Sequence, residues 1–371
     1  MTIVGTRPEI IRMASIIKKL DQYCDHVLVH TGQNYDYELN KVFFEDLELR
    51  DPDHVLDVRS DTLHGQLGNI ISQTGDIISR IMPDAVVVLG DTNSALSVIN
   101  AKRLKIPIFH IEAGDRSFDE NVPEELNRRL VDHTADVNLA YTEYSRRNLL
   151  REGIHPNKIF VIGSPIREVY LDMWDKFESS NILSELNLEK GDFFTASIHR
   201  EENVDLPGRL ETMVDSYNAL CERYDMPIVV STHPRTRVRL EQQGLLEKSD
   251  KRIIWHKPFG LIDFIWLQVN SFCVVSDSGT IHEDSSILGF PAIAIRKSTE
   301  KAESIDAGHC VVTGLESESV LDSVNIAVTE KIDPVESPVP DAYTPRRVAN
   351  KVARIVVGMT KIVDERVWGK K

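Results

Sequence analysis

The chain has 371 residues, 42% of them apolar and 27% charged; that is a globular composition and more chain than one ordinary core holds, so two domains are expected. With 43 basic against 58 acidic residues the formal charge is −15, which argues against non-specific nucleic-acid binding and confines any anion site to a local basic pocket. No apolar run approaches a bilayer span, so no membrane partner is expected, and no signal peptide is read at the start. Cys24, Cys221, Cys273 and Cys310 are scattered, without CxxC spacing or a histidine cluster. They read as buried thiols of a cytoplasmic protein, with no metal site.

In chain order, short β-branched runs alternate with helical stretches. "MTIV" leads through "GTRPE" into the helix "IIRMASIIKKL", and "HVLVH" into "TGQNYDYELNKVFFEDL". A helix over "TLHGQLGNIISQTGDIISRIM" precedes the strand "DAVVVLGDT" and the helix "SALSVINAKRL". "IPIFHIEAG", the helix "EELNRRLVDHT", "VNLAYT", the helix "EYSRRNLLREG" and "IFVIGSP" complete the first half. A charged crossing segment, 166–189, precedes a second alternation built on "FFTASIH", "PIVVSTHP", "RIIWHKP", "FCVVSDSG" and "AIAIR". A long amphipathic helix from about Thr344 closes the chain.

Apolar strands alternating with helices predict parallel sheets covered on both faces. The fold class is therefore α/β: two doubly wound, Rossmann-like domains. Residues 1–165 form the first, 166–343 the second, and 344–371 a helix returning to the first. A first strand that opens at residue 1 is short for a central strand, so a few residues are expected to precede it.

Ligands of open parallel sheets sit beyond the carboxyl ends of the strands, which makes each polar strand end a candidate. Gly5-Thr6-Arg7-Pro8-Glu9 combines a glycine turn, an arginine and a helix start, which suits a diphosphate; a plain tight turn has even odds. Asp91 ends one strand and Glu112 the next, and Glu124 opens the helix twelve residues later. One such carboxylate is ordinarily a helix cap or a first-turn acid. Three at one edge are expected to crowd and to raise each other's pKa, a cost that acid/base work would justify. In the second half His199-Arg200, Ser231-Thr232-His233-Pro234-Arg235 and Ser276-Asp277-Ser278-Gly279-Thr280 occupy equivalent places. A lone histidine there is more often structural; so many polar ends on two sheets favour a site.

Taken together "GTRPE", "GDTNS", "HIEAG", "PEELNR", "HREEN", "THPR", "SDSGT" and "STE" resemble, in order and spacing, the non-hydrolysing UDP-N-acetylglucosamine 2-epimerases. Those enzymes have the two-domain glycosyltransferase-B architecture, with the active site in the cleft between domains. The resemblance implies inversion at C2 of a UDP-linked 2-acetamido sugar by elimination and re-addition of UDP, without a nicotinamide or other cofactor. It implies Asp91, Glu112, Glu124 and His199 as catalytic residues with Arg128 nearby. Arg7, Arg12, His233, Phe264, Ser278, Gly279, Asp284 and Lys301 are then the UDP-sugar contacts. A homodimer supplying surface-polysaccharide precursors is also implied.

Some positions depart from the family pattern. Arg12 replaces a lysine, Asp284 a glutamate and Lys301 an arginine, each keeping its charge. Gln33-Asn34-Tyr35-Asp36 stands where bacterial members carry the "QHRE" of allosteric activation, which argues against that activation. "HTGQNYDY" and "SDSGT" look most like the subgroup that forms UDP-N-acetyl-L-fucosamine from its L-talo epimer, whereas Asp115-Arg116-Ser117 differs from it. A glycosyltransferase of this fold would leave Asp91, Glu112 and Glu124 without a shared task. A UDP-sugar sensor would need no acid/base set, and a hydrolysing relative would release free sugar.

Overall fold

The computed structural model describes residues 1–33, 43–296, 299–330 and 339–370, apart from the side chains of Glu201 and Glu202. Its contacts divide the chain into two compact units, Met1–Met173 with Asp341–Lys371, and Trp174–Pro340.

The first unit holds a parallel sheet of β1 (Thr2–Val4), β2 (Leu28–His30), β3 (His54–Val55), β4 (Val86–Leu89), β5 (Ile108–Ile111), β6 (Val137–Ala140) and β7 (Ile159–Val161). Their order is β3-β2-β1-β4-β5-β6-β7. Val86, Val87, Val88 and Leu89 are all buried, as a run covered by helices on both faces requires. The core gathers Ile3, Val29, Val86, Val88 and Ile108 with Ile78 and Val131 from flanking helices.

The second unit repeats the plan with β8 (Phe194–Ile198), β9 (Ile228–Thr232), β10 (Ile253–His256), β11 (Cys273–Ser276), β12 (Ala292–Ile295) and β13 (Val311–Thr313), ordered β10-β9-β8-β11-β12-β13. Phe194, Met213, Tyr217 and Val275 anchor its core. In both sheets the order reverses beside the first strand, between β1 and β4 and between β8 and β11. Those switch points open a crevice at the strand ends.

The closing helix, Val348–Trp368, buries Val348, Val352, Val356 and Val363 and packs on the helix Arg7–Tyr23 of the first unit. Ala349 N donates to Glu168 Oε2 at 3.0 Å and Lys351 Nζ to the Ile162 carbonyl at 2.9 Å.

Three sequence expectations change in detail. The edge strands β3 and β13 are unforeseen, because two and three residues are too few to set a period. "SALSVINAKRL" divides into a 3-10 turn, Asn93–Ser97, and a short helix, Val98–Arg103. Cys24 is only half-buried, whereas the other three cysteines are buried; all four are free. Among the described residues no helix is long and apolar enough to cross a membrane, and no cluster of metal-ligating side chains is present.

Candidate active site

In the first unit three loops meet beyond β1, β4 and β5. Thr6 caps the helix Arg7–Tyr23, with Glu9 in the reciprocal capping position. Glu9 is buried; its Oε2 accepts from Gly5 N at 3.0 Å, Thr6 N at 2.7 Å and Thr6 Oγ1 at 2.8 Å. Its Oε1 accepts from Thr92 Oγ1 at 3.1 Å, which ties the "GTRPE" turn to the "GDTNS" turn. Burial pushes the Glu9 carboxyl up to about 7, against the opposing pull of those hydrogen bonds. Gly5 leaves no room for a side chain, since a Cβ would stand 2.0 Å from Ser94 Oγ and 2.2 Å from Thr31 Oγ1. Arg7 is half-exposed over the Phe43 ring at 5.3 Å, and its buried Nε lacks a hydrogen-bond partner among the described residues.

Register places Leu89 opposite Ile111, so the β4 and β5 ends lie side by side. A Cβ on Gly90 would be 3.8 Å from Glu112 Oε2. The carboxylates are nevertheless not the crowded set expected from the sequence, because an arginine stands at each of two. Arg128 Nε donates to Asp91 Oδ2 at 2.8 Å, and Nη2 lies 2.7 Å from the same oxygen as an ion pair. Arg12 Nη1 reaches Glu112 Oε2 at 3.4 Å. Fixed cations answer the like-charge repulsion that the sequence alone suggests. Glu124 stands exposed in the first turn of the helix Pro123–Thr134, one turn before Arg128 on the same face. Asn127 Nδ2 donates to the Asp91 carbonyl at 2.9 Å, further fixing that loop.

Below the loops lies a buried polar network outside the sequence expectation. His110 Nε2 contacts the Gly90 carbonyl and Nδ1 contacts Asp132 Oδ1, each at 2.8 Å. Asp132 Oδ2 also takes Gly114 N at 3.2 Å and Arg116 Nη2 at 2.7 Å, and Arg116 continues to Glu152. The loops carrying Asp91 and Glu112 are thus fastened to one another from beneath. Glu112 itself has φ +67, a left-handed backbone that a non-glycine residue seldom adopts.

The second unit presents its polar groups at the other switch point. His199 and Arg200 follow β8, and Asp277 follows β11. The Asp277 carboxylate is buried and accepts the backbone N–H groups of both His199 and Arg200. Arg200 Nε donates to the Asp277 carbonyl at 2.9 Å. Ser278 and Gly279 precede the helix Ile281–Leu288, whose amide end suits an anion. Gly279 has no space for a side chain, since a Cβ would meet Glu300 Oε1 at 2.7 Å. Glu300 is gripped by Arg296 Nη2 at 2.7 Å. Asp284 is buried and accepts from Thr280 Oγ1 at 2.9 Å.

His233 is exposed as the cap of the helix Pro234–Gln242, its Nδ1 accepting from Arg235 N at 3.3 Å. That bond leaves the proton of the neutral ring on Nε2, the form that donates to an anion. Phe264 is half-buried on the helix Leu261–Asn270. Lys301, foreseen as a substrate contact, is buried with Nζ 3.9 Å from Glu283 Oε2. Arg12 is similarly buried against Glu112 and the Tyr141 ring. Of the segment Gln33–Asp36, only Gln33 lies within the described residues; its Oε1 accepts from Ser94 N and Oγ.

Two doubly wound units with polar strand ends of this kind define an α/β protein of the glycosyltransferase-B type. The model of one family, described as UDP-N-acetylglucosamine 2-epimerase, matches residues 18–357. The chain is similar to the UDP-N-acetylglucosamine 2-epimerase structure from Rickettsia bellii, at 41% identity and TM-score 0.92, covering 100% of this chain and 99% of that one. It is similar to the Methanocaldococcus jannaschii UDP-GlcNAc 2-epimerase solved with UDP-GlcNAc and UDP, at 37% identity and TM-score 0.89, covering 96% and 99%. A Pseudomonas aeruginosa UDP-2,3-diacetamido-2,3-dideoxy-D-glucuronate 2-epimerase is 34% identical, over 90% of this chain and 93% of its own. The chain belongs to the non-hydrolysing UDP-N-acetylglucosamine 2-epimerase family, and it is an isomerase.

Proposed function

We propose that the protein inverts C2 of a UDP-linked 2-acetamido sugar, interconverting UDP-GlcNAc and UDP-ManNAc by elimination and re-addition of UDP. A base of the site takes the C2 proton, the C–H electron pair becomes the C1=C2 bond, and the C1–O bond breaks with its electrons leaving on UDP. The UDP oxygen then attacks C1 of the 2-acetamidoglycal while a second acid protonates C2 on the opposite face. Asp91, Glu112, Glu124 and His199 form the acid/base set, with Arg128 beside them.

The observation that carries this reading is the adjoining ends of β4 and β5, where Asp91 and Glu112 each stand with a guanidinium. A sugar sensor has no use for such a pair, and a transferase no shared task for it. Arg7, His233, Ser278 and Gly279 suit the leaving diphosphate, Asp284 the sugar nucleotide and Phe264 the uracil ring. Arg12 and Lys301, buried against Glu112 and Glu283, position those carboxylates. Free thiols fit a cytoplasmic enzyme, and we assign it a homodimeric state and a place before surface-polysaccharide assembly.

A second reading, conversion of UDP-2-acetamido-2,6-dideoxy-L-talose to UDP-N-acetyl-L-fucosamine, is favoured by the "SDSGT" turn, whose Thr280 hydroxyl is seated on Asp284. Incubating a panel of UDP-sugars in deuterium oxide tests both readings. Deuterium at C2 of one sugar and its epimer identifies the substrate. Transfer without exchange, or binding alone, would remove the proposal; release of free sugar would mark a hydrolase.

A further inference from the structure

The buried carboxylate at the end of β11 has no task in the reaction as proposed, yet it accepts from three separate residues. Asp277 Oδ2 accepts from Arg200 N at 3.0 Å, Asn203 Nδ2 at 3.1 Å and His199 N at 3.2 Å. Its Oδ1 accepts from His199 N at 3.2 Å and lies 3.3 Å from His199 Nδ1. The carboxylate is wholly buried, whereas the His199 ring is 48% exposed. Arg200 does not supply its counter-charge, because Nε goes to the Asp277 carbonyl instead. Among the described residues, His199 is the one ionisable side chain within ion-pair distance of this carboxylate.

We propose that Asp277 is the positioning residue of His199, fixing the ring so that only Nε2 exchanges protons with the sugar. This rests on His199 belonging to the acid/base set. A carboxylate only accepts, so the nitrogen facing it carries the proton, and the outward nitrogen holds the reactive pair. Two backbone N–H groups on the same carboxylate hold the 199–200 peptide, so the ring turns about a fixed base. β8 and β11 are neighbours at the switch point, with Ser197 opposite Ser276, which brings together two residues 78 positions apart. A loop staple alone would need the backbone bonds and Asn203, but not the contact with Nδ1.

Histidine nitrogen-15 spectra of the wild-type protein with UDP, assigned by the signal missing in His199→Asn, should show Nδ1 protonated and Nε2 bare in the neutral ring. The opposite tautomer overturns the proposal, whether or not any Asp277 variant folds. Asp277→Asn should lose the tautomer bias and roughly 10²-fold or more in turnover, while UDP affinity by calorimetry changes less than about threefold. Adding Asp277→Asn to His199→Asn should cost nothing further. Multiplicative losses in the double variant, or turnover of Asp277→Asn within threefold of wild type, also overturn it. Full turnover in His199→Asn would instead remove the assignment of His199 itself, a failure distinct from that of Asp277.

Discussion

Arg128 holds Asp91 by one oxygen only. Nε donates to Oδ2 at 2.8 Å and Nη2 lies 2.7 Å from that same oxygen, and Oδ1 has no partner among the described residues. Nη1 meanwhile donates to the buried Glu125 at 3.0 Å. Burial would raise the Glu125 carboxyl, but hydrogen bonds from Ser117 and Arg128 hold it below its ordinary value. Arg128 is thus fixed at its far end by one acid and offers the other to the site. Asp91 keeps a lone-pair face for a proton and a cation behind it.

Asp91→Asn, Glu112→Gln and His199→Asn should each lower turnover by two or more orders of magnitude, since a positioned acid or base is worth about 10²–10⁴ in rate. Asp91→Asn and Glu112→Gln keep the shape of the side chain, and the His199 ring is 48% exposed, so melting temperatures should stay near wild type. Steady-state rates on the substrate found by isotope exchange are the check. Near-wild-type turnover in all three would remove the site.

Arg7→Ala and His233→Ala should act on UDP binding. Arg7 keeps a buried Nε without a hydrogen-bond partner among the described residues, and His233 caps a helix through Nδ1. A lost charge-assisted phosphate contact costs roughly 1.5–3 kcal/mol, or about one to two decades of affinity. Calorimetric titration with UDP reads this directly, and unchanged affinity in both variants would count against the pocket.

The central strands and their polar ends were legible because each is a buried apolar run followed by a polar turn. "AVVVL" before Gly90 and "CVVS" before Asp277 announce themselves. Glu9 could have been found from the Thr6-x-x-Glu9 capping spacing, although the sequence reading gave it no role of its own. The arginines were not legible in their roles. Arg12 and Glu112 are 100 residues apart, and Arg128 and Asp91 are 37 apart, so their pairing exists only once the strand order is set. For the same reason three carboxylates looked crowded in sequence although guanidinium groups accompany two of them. The tie between Asp277 and His199 is likewise a product of β8 lying beside β11.

Gly114→Ala should damage the Glu112 loop. Gly114 has φ +87, and a Cβ there would stand 2.3 Å from the Ser145 carbonyl, a helix backbone atom that cannot swing aside. Gly153 is the control, with φ +85 and nothing within 4 Å of its Cβ position. Left-handed strain alone costs about 1–2 kcal/mol, so Gly153→Ala should lose that much. Gly114→Ala should lose more, together with at least about tenfold in turnover, because Glu112 sits two residues away. Chemical denaturation of both variants decides it; equal losses would show that the close approach is unimportant.

Glu9 gives the stability a pH dependence whose sign follows from burial. Its carboxyl is raised from an ordinary 4.5 to about 7, so between those values the native state keeps a proton that the unfolded chain has released. The native state then binds more protons, and stability falls as pH rises through that window. The full fall is roughly 3 kcal/mol at about 1.4 kcal/mol per unit. Glu9→Gln cannot ionise, and its amide oxygen can still accept from Gly5 N and Thr6 N. The variant should therefore gain on wild type as pH goes from about 5 to 8, and the difference should level off above that. Melting curves of the two proteins across this range are the measurement. Parallel slopes would mean that Glu9 is already ionised in the folded protein at the lower end, with its four hydrogen bonds outweighing the cost of burial.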